Sequence, residues 1–583
     1  MSQERAMWSN KIEFVLSTIG YSVGVGNIWR FPYLCMENGG GAFLIPYFFF
    51  LFICGAPMFL AEVSIGQFTG LSPTGIWNFA PIFTGLGWSM VCISGLLSLY
   101  YNVVVAWVLY YLGMSFNWVL PWSKCGNYWN TEYCYSYNDI VKSNLTFVQF
   151  IDLKNITLDS FNSSIRWRSS AEEFYLYNTL NITKSINELG GFNNHILICF
   201  IVAWILTYVC LINSVKSVGK VVYFTALAPY VLLTVIIIQG SILPGSWLGI
   251  KFYLVPQWKT LLSMKVWTTA ATQIFYSLGP AWGGLISMAS FNKFNENIVR
   301  TSTMIPIICC MSSFYGSFAI FSIIGHMAYI TNITDITQVI ESGPGLAFVA
   351  YPQAMALLPG GAIWSVLFFL TLLTLGMDSM FATYETLIQG IADECQKIKG
   401  KIRHIYTASV TLLMILVGLP LTTRAGAYIF QIVDWYSTPI AVIIIALFES
   451  FALAFFYNYK KLITHIEIMQ SQVSKPVRYW LTSCMCCLTP ISLLIVFINI
   501  IINFEQPVFD KNKHYPKWSI NFGWSLAILM IVPMPVMAIY ILIMYKGNWR
   551  KVFRANSTFK KMELLRSNTT ISATLDIEKN SLV

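Results

Sequence analysis

Long apolar runs separated by short polar joints set the pattern of this chain from near its start almost to its end. About 20 mostly apolar residues are enough to cross a hydrocarbon layer about 30 Å thick. Runs of that kind fall near 13–34, 40–67, 85–118, 194–213, 217–240, 265–288, 300–328, 361–391, 404–422, 424–456, 478–503 and 518–545. They lack the strict alternation of strands and are too long for them, so the pattern predicts an all-α membrane protein with about twelve transmembrane helices. One membrane domain over 1–545 and a polar tail over 546–583 is the natural division. Between the third and fourth runs, the loop 119–193 is the longest polar insertion. Met1 to Lys11 is polar and no cleavage site follows the first apolar run, so no cleaved leader is expected.

Two of the runs are interrupted where an ordinary packed helix would not be. The first reads Ile19-Gly20-Tyr21-Ser22-Val23-Gly24-Val25-Gly26-Asn27, and the sixth Tyr276-Ser277-Leu278-Gly279-Pro280-Ala281-Trp282-Gly283-Gly284. Freed backbone groups at membrane depth cost several kcal/mol each unless something satisfies them. Such breaks persist where unwound carbonyls and half-helix ends bind a solute or ion. Runs 1 and 6 occupy matching positions if 1–5 and 6–10 form an inverted 5+5 repeat, as in secondary transporters. The plainer reading, that these glycines are close contacts between helices, suits either run better than both together.

Composition agrees with the membrane reading. Hydrophobic residues make up 56% and charged residues 11%, against about 25% charged in an ordinary soluble domain; mean hydropathy is +0.62. The net charge of +10 is no sign of a nucleic-acid partner, because the basic residues sit in alternate joints. Lys216 and Lys220 form one group, Lys293 and Arg300 the next, and Lys397, Lys399, Lys401 and Arg403 a third. Lys460, Lys461, Lys475 and Arg478 follow, then Arg550, Lys551, Arg554, Lys560 and Lys561. The positive-inside rule puts these joints, and both termini, on the cytoplasmic side.

The loop 119–193 is then external, and its content fits. It carries glycosylation sequons at Asn144, Asn155, Asn162 and Asn181. Cys125 and Cys134 in the same loop are expected to pair as a disulfide in that oxidising compartment. Cysteines inside the runs, such as Cys309 and Cys310, have no His or Cys neighbours at metal-site spacing and read as small core residues. Nothing in the chain matches a phosphate-binding loop or a nucleophile constellation, so neither an ATP-driven pump nor an enzyme is expected.

Gly26-Asn27-Ile28-Trp29-Arg30-Phe31-Pro32-Tyr33, followed by Asn38-Gly39-Gly40-Gly41-Ala42-Phe43, resembles the signature of the neurotransmitter:sodium symporter family. Tyr100-Tyr101-Asn102, the stretch 271–277, Ser290-Phe291-Asn292-Lys293-Phe294 and Leu375-Gly376-Met377-Asp378-Ser379 match further motifs, and the likeness runs from Arg5 to about residue 545. Ala281-Trp282-Gly283-Gly284 and Gly325-His326-Met327-Ala328 resemble the glycine branch and the neutral-and-basic B(0,+) branch, the second more closely. The resemblance implies a multi-pass plasma-membrane carrier that imports amino acids with sodium, and with chloride, by alternating access. Neutral substrates are implied and basic ones are left open. A glycine-selective carrier, and an amino-acid-binding member that has lost transport, stay as alternatives; a channel would show a repeated ring of polar residues rather than two breaks.

Residue by residue, the resemblance gives a second sodium site made of the Gly20, Val23 and Leu375 carbonyls with the Asp378 and Ser379 side chains. Asp378 is also an intramembrane carboxylate, which is functional by default. The first sodium site maps onto the Ser22 carbonyl, Asn27 and Ser277, and onto Cys309 where the family has asparagine. A thiol is a soft, weak ligand for a hard cation, so weaker sodium affinity, altered ion coupling and low activity are all open. Chloride ligands map onto Tyr47, Gln273, Ser277 and Ser313.

Substrate contacts map onto Tyr21, Gly24, Gly26, Tyr101, Tyr276, Ser277 and Trp282. Gly24 stands where amine carriers have aspartate, so the substrate is expected to bring its own carboxylate. The outer gate maps onto Arg30 and Asp434, and the inner one onto Arg5, Trp8 and Asp393. Phe291 stands where the family has an inner tyrosine, and Pro280 departs from the glycine branch. Glu62 and Glu385 read first as structural polar contacts.

Overall fold

The computed structural model describes residues 7–142, 167–330, 346–395, 398, 400–469, 473–510, 513–546, 548–556, 559–560, 562–564 and 566. Among them, β structure is limited to two short two-stranded pairings, Cys134–Tyr135 with Arg168–Ser169 and Val508–Asp510 with Lys513–His514, and two isolated bridges, Gly40 with Pro256 and Phe192 with Thr423. Helices form the rest of the scaffold. Ten are long and apolar enough to cross a membrane, from Gly41–Thr69 to Lys517–Met544. Each coincides with one of the predicted runs. Runs 13–34 and 265–288 are not among the ten because each is interrupted, as the glycine pattern predicts.

Depth of burial sorts the ten. In Pro81–Ser115 and Gly361–Glu394, 78% and 72% of the apolar window is buried within the protein, against 22% in Lys475–Ile502 and 17% in Lys517–Met544. The first two therefore belong to the centre. The last two turn apolar side chains such as Ile498, Ile501, Val536 and Ile543 outward, a face suited to lipid rather than water.

The Cys125–Cys134 disulfide is formed. Asn181 is exposed in the same loop, while Asn144, Asn155 and Asn162 lie outside the described residues. Past the last span, the described residues as far as Arg566 pack back on the helix bundle. Asn556 pairs with Asn78 (N–H to O 3.0 Å; amide to amide 2.7 Å). Phe559, 2% exposed, sits against Phe79 and Tyr457. Arg566 donates to the carbonyls of Gln67 (3.2 Å) and Thr69 (3.1 Å). Those carbonyls end the helix Ala56–Thr69, where a cation is favoured by the helix dipole.

Candidate functional site

The first break is built from local chemistry. Helix Lys11–Ser22 starts on Asn10, whose side chain accepts from the Glu13 N–H, while the Glu13 carboxylate accepts from the Ser9 N–H (3.0 Å). This reciprocal cap fixes where the helix begins. The helix ends at Ser22; Val23 and Gly24 leave helical geometry, and a new short helix, Val25–Ile28, follows. Asn27 caps that helix by accepting from the Gly24 N–H at 3.1 Å. Carbonyls of the interrupted last turn are left without helical partners. That of Tyr21 accepts from Ser379 Oγ (3.4 Å) and that of Ser22 from Cys309 Sγ (3.0 Å) and Ser277 Oγ (3.4 Å).

At the second break, helix Met264–Leu278 stops at Gly279 (φ 75°) and helix Gly284–Ala289 begins after Gly283 (φ 79°). Both glycines occupy the left-handed region that L side chains avoid. Ala281 also sits there, at φ 67°. Its N–H donates to Glu62 Oε1 at 2.6 Å, and the Glu449 carboxyl lies beside Glu62. Tyr21 OH donates to the Gly279 carbonyl (3.1 Å), tying the two breaks together.

Between the breaks lies a cavity lined by Tyr21, Gly24, Gly26, Asn27, Leu97, Tyr101, Tyr276, Ser277, Gly279, Trp282, Ser379 and Thr383. None of these side chains carries a formal charge. All seven predicted substrate residues are among them. Gly24 has extended backbone (φ −102°, ψ −174°) that any residue can adopt; what it supplies is room. A Cβ there would stand 2.6 Å from Ser379 Oγ and 3.4 Å from Tyr101 OH, and one on Gly26 would stand 2.8 Å from the Tyr276 ring. Tyr101 OH accepts from the Val25 N–H at 3.3 Å. Trp282 Nε1 donates to the Phe275 carbonyl (3.2 Å), and its own carbonyl accepts from Ser94 Oγ (2.6 Å), which fixes the indole as a wall.

The two groups of residues expected to hold sodium differ. Asp378 is 3% exposed. Its Oδ1 accepts from Thr225 Oγ1 at 2.5 Å, whereas Oδ2 has no hydrogen-bond partner. That oxygen faces Gly20, where a Cβ would stand 2.5 Å from it. A buried carboxylate oxygen without a partner costs several kcal/mol, so the set around it fits a monovalent cation. Within that set Ser379 Oγ also donates to the Leu375 carbonyl (3.5 Å), and in the other set the mutual bonds are more numerous. Asn27 Nδ2 donates to Ser313 Oγ (2.7 Å) and Ser277 Oγ (3.0 Å) and lies 3.5 Å from Cys309 Sγ, and Cys309 Sγ is 3.1 Å from Ser277 Oγ.

The chloride set is adjacent. Tyr47 OH is 3.3 Å from Ser313 Oγ, and Gln273, fully buried, leaves both amide atoms without a partner. Hydroxyl and amide donors of this kind suit an anion.

Toward one end of the bundle, the Arg30 guanidinium lies over the Tyr276 ring at 4.4 Å. Asp434 accepts from Tyr100 and stands within the field of Arg30. Among the described residues no direct Arg30–Asp434 ion pair is formed, and the guanidinium makes a cation–π contact with the ring. At the other end Trp8 is buried, donating to the Met288 carbonyl through Nε1 (3.0 Å) and to the Phe291 carbonyl through its backbone N–H (3.2 Å). Asp393 accepts from the Ser72 N–H (3.0 Å) and from Gln389. Arg5 lies outside the described residues.

Leu97 and Thr383 in the cavity lining and Thr225 beside Asp378 are among the residues the sequence did not single out. Leu97 and Thr383 precede Tyr101 and follow Ser379 by four positions, so helical spacing already placed them on the same faces. Thr225 carried no such signal; it is one hydroxyl among many in apolar helices.

The profile of the Sodium:neurotransmitter symporter family matches residues 5–545. The chain is 42% identical over 543 residues to the sodium- and chloride-dependent glycine transporter 1 of Xenopus laevis, covering 92% of this chain and 84% of that one. It is 38% identical over 564 residues to the human sodium- and chloride-dependent neutral and basic amino acid transporter B(0+), covering 94% and 87%. Overall identity thus does not repeat the nearer likeness to the second branch read from two short stretches.

Proposed function

The chain belongs to the Sodium:neurotransmitter symporter family, and from that premise we propose that it is a sodium-coupled, chloride-dependent importer of neutral amino acids. It is a transporter and not an enzyme. Its two broken helices, with the ten continuous ones, make up twelve crossings arranged as an inverted 5+5 repeat, in the plasma membrane with both termini inside. Sodium and amino acid bind between the breaks. The outer gate at Arg30 and Asp434 then closes, and the inner one at Arg5, Trp8 and Asp393 opens. The driving work is about 2.3 kcal/mol per charge per 100 mV.

One observation carries the reading: a cavity lined without formal charge adjoins the buried, half-satisfied Asp378 through Ser379, which lines the cavity and bonds the broken first helix. A zwitterion has no net charge and suits such a cavity. An amine cation would need the carboxylate that Gly24 does not provide, and the extra cation of a basic amino acid meets none in the lining either. Trp282 and Tyr276 bound the space for the side chain.

The test is uptake of labelled glycine, leucine and lysine by expressing cells, in sodium and in an organic-cation replacement. Glycine or leucine should accumulate only in sodium, with lysine the poorest of the three. Binding without sodium-driven accumulation would establish the transport-deficient alternative instead.

A further inference from the structure

We infer that Cys309 leaves this carrier with a single coupled sodium, held by the Asp378 set, and that the Ser22–Asn27–Ser277 set takes no sodium. The inference rests on the transport reading above and concerns its stoichiometry.

Sodium entering a buried site exchanges a shell of water oxygens for protein oxygens, so a set competent for it must present several hard oxygens pointing inward. In the Ser22 set one position is sulfur. Cys309 is fully buried, and its Sγ donates to the Ser22 carbonyl, one of the oxygens sodium would need. Binding there would have to break that bond and leave the thiol proton facing a cation.

Asn27 is turned the wrong way as well. Its Oδ1 accepts from the Gly24 N–H, and its Nδ2 hydrogens point at Ser277 and Ser313. Flipping the amide would bring NH2 against the Gly24 N–H, so the network fixes the orientation. The edge presented to the cluster is therefore the positive one. It suits the neighbouring anion set of Tyr47, Gln273 and Ser313 and opposes a cation.

The other set, by contrast, contains Asp378 with Oδ2 unpartnered, a formal charge that offsets the hydration a monovalent ion loses on burial.

The test uses the full-length protein in liposomes, with radioactive sodium and a labelled amino acid measured together, and sodium-dependent amino acid binding measured at equilibrium in detergent. The natural chain should move one sodium per amino acid and show a hyperbolic sodium dependence of binding. Cys309→Asn should double the sodium-to-substrate ratio, steepen the binding curve, and add one positive charge per substrate carried. Cys309→Ser, a hard oxygen of nearly the same size, should shift in the same direction and guards against a misfolded asparagine variant.

Two sodium ions per substrate in the natural chain would overturn the inference while leaving the carrier reading intact. So would a ratio unchanged in both Cys309 variants when each still binds substrate. Absence of any sodium-driven flux would remove the carrier reading, and the inference with it.

Discussion

At Gly24 the requirement is space, since the backbone there is one any residue can take. Ser379 Oγ and Tyr101 OH stand where a side chain would have to go. Gly24→Asp should therefore lower amino acid uptake by more than about tenfold, a loss of at least ~1.4 kcal/mol, with surface expression retained; an uptake assay with surface labelling reads both. The sequence pointed to this position because glycine stands where other carriers have a charge. It did not show that the obstacle is a hydroxyl of a distant helix. Asp378→Asn is expected to keep the Thr225 contact yet raise the sodium concentration for half-maximal uptake at least about tenfold, because the amide removes the one formal charge of that set.

Breaks in helices are legible as clusters of glycine and proline, and both appear where the pattern put them. What holds the second break open was less legible. Glu62 read as a structural contact, and it is one, but the group it holds is the Ala281 N–H within the unwound segment. Removing that acceptor by Glu62→Ala should cost about 1–3 kcal/mol and most of the transport, with Glu62→Gln restoring part, since an amide oxygen can still accept. Ala281 at φ 67° is strained by about 1 kcal/mol or more. Ala281→Gly should therefore raise the thermal unfolding midpoint in detergent. No sequence rule anticipates alanine in that region, because the neighbouring helix imposes it.

On the scale of the whole molecule, the described residues after the last span, as far as Arg566, are docked on the bundle. Phe559 fills a buried place against Phe79 and Tyr457, and Glu563 meets His465 (3.0 Å) and Lys461 (3.4 Å). Arg566 stacks on Phe294 (4.9 Å to the ring centroid), and its burial brings the guanidinium pKa down to about 10, so it remains charged at neutral pH. Phe559→Ala should cost the docked tail ~3 kcal/mol, read as easier proteolysis beyond residue 545. Arg566→Lys should not preserve this docking: an ammonium lacks the two-nitrogen fork that reaches both carbonyls, so thermal stability should fall nearly as far as in Arg566→Ala.

The sequence by itself determined the membrane class, the ten continuous helices and the two interruptions. These depend on the local distribution of apolar side chains and on glycine and proline, which act within a few residues of where they stand. It also marked, through short motifs, seven residues that line the cavity. Only the tertiary structure decided which groups meet: Thr225 on Asp378, Glu62 on Ala281, Arg566 on the end of Ala56–Thr69, and Cys309 on the Ser22 carbonyl. Those pairings join residues far apart in the chain, and nothing local to either partner specifies the other. The broken helices therefore follow from composition, whereas the difference between the two cation sets follows from how the helices pack.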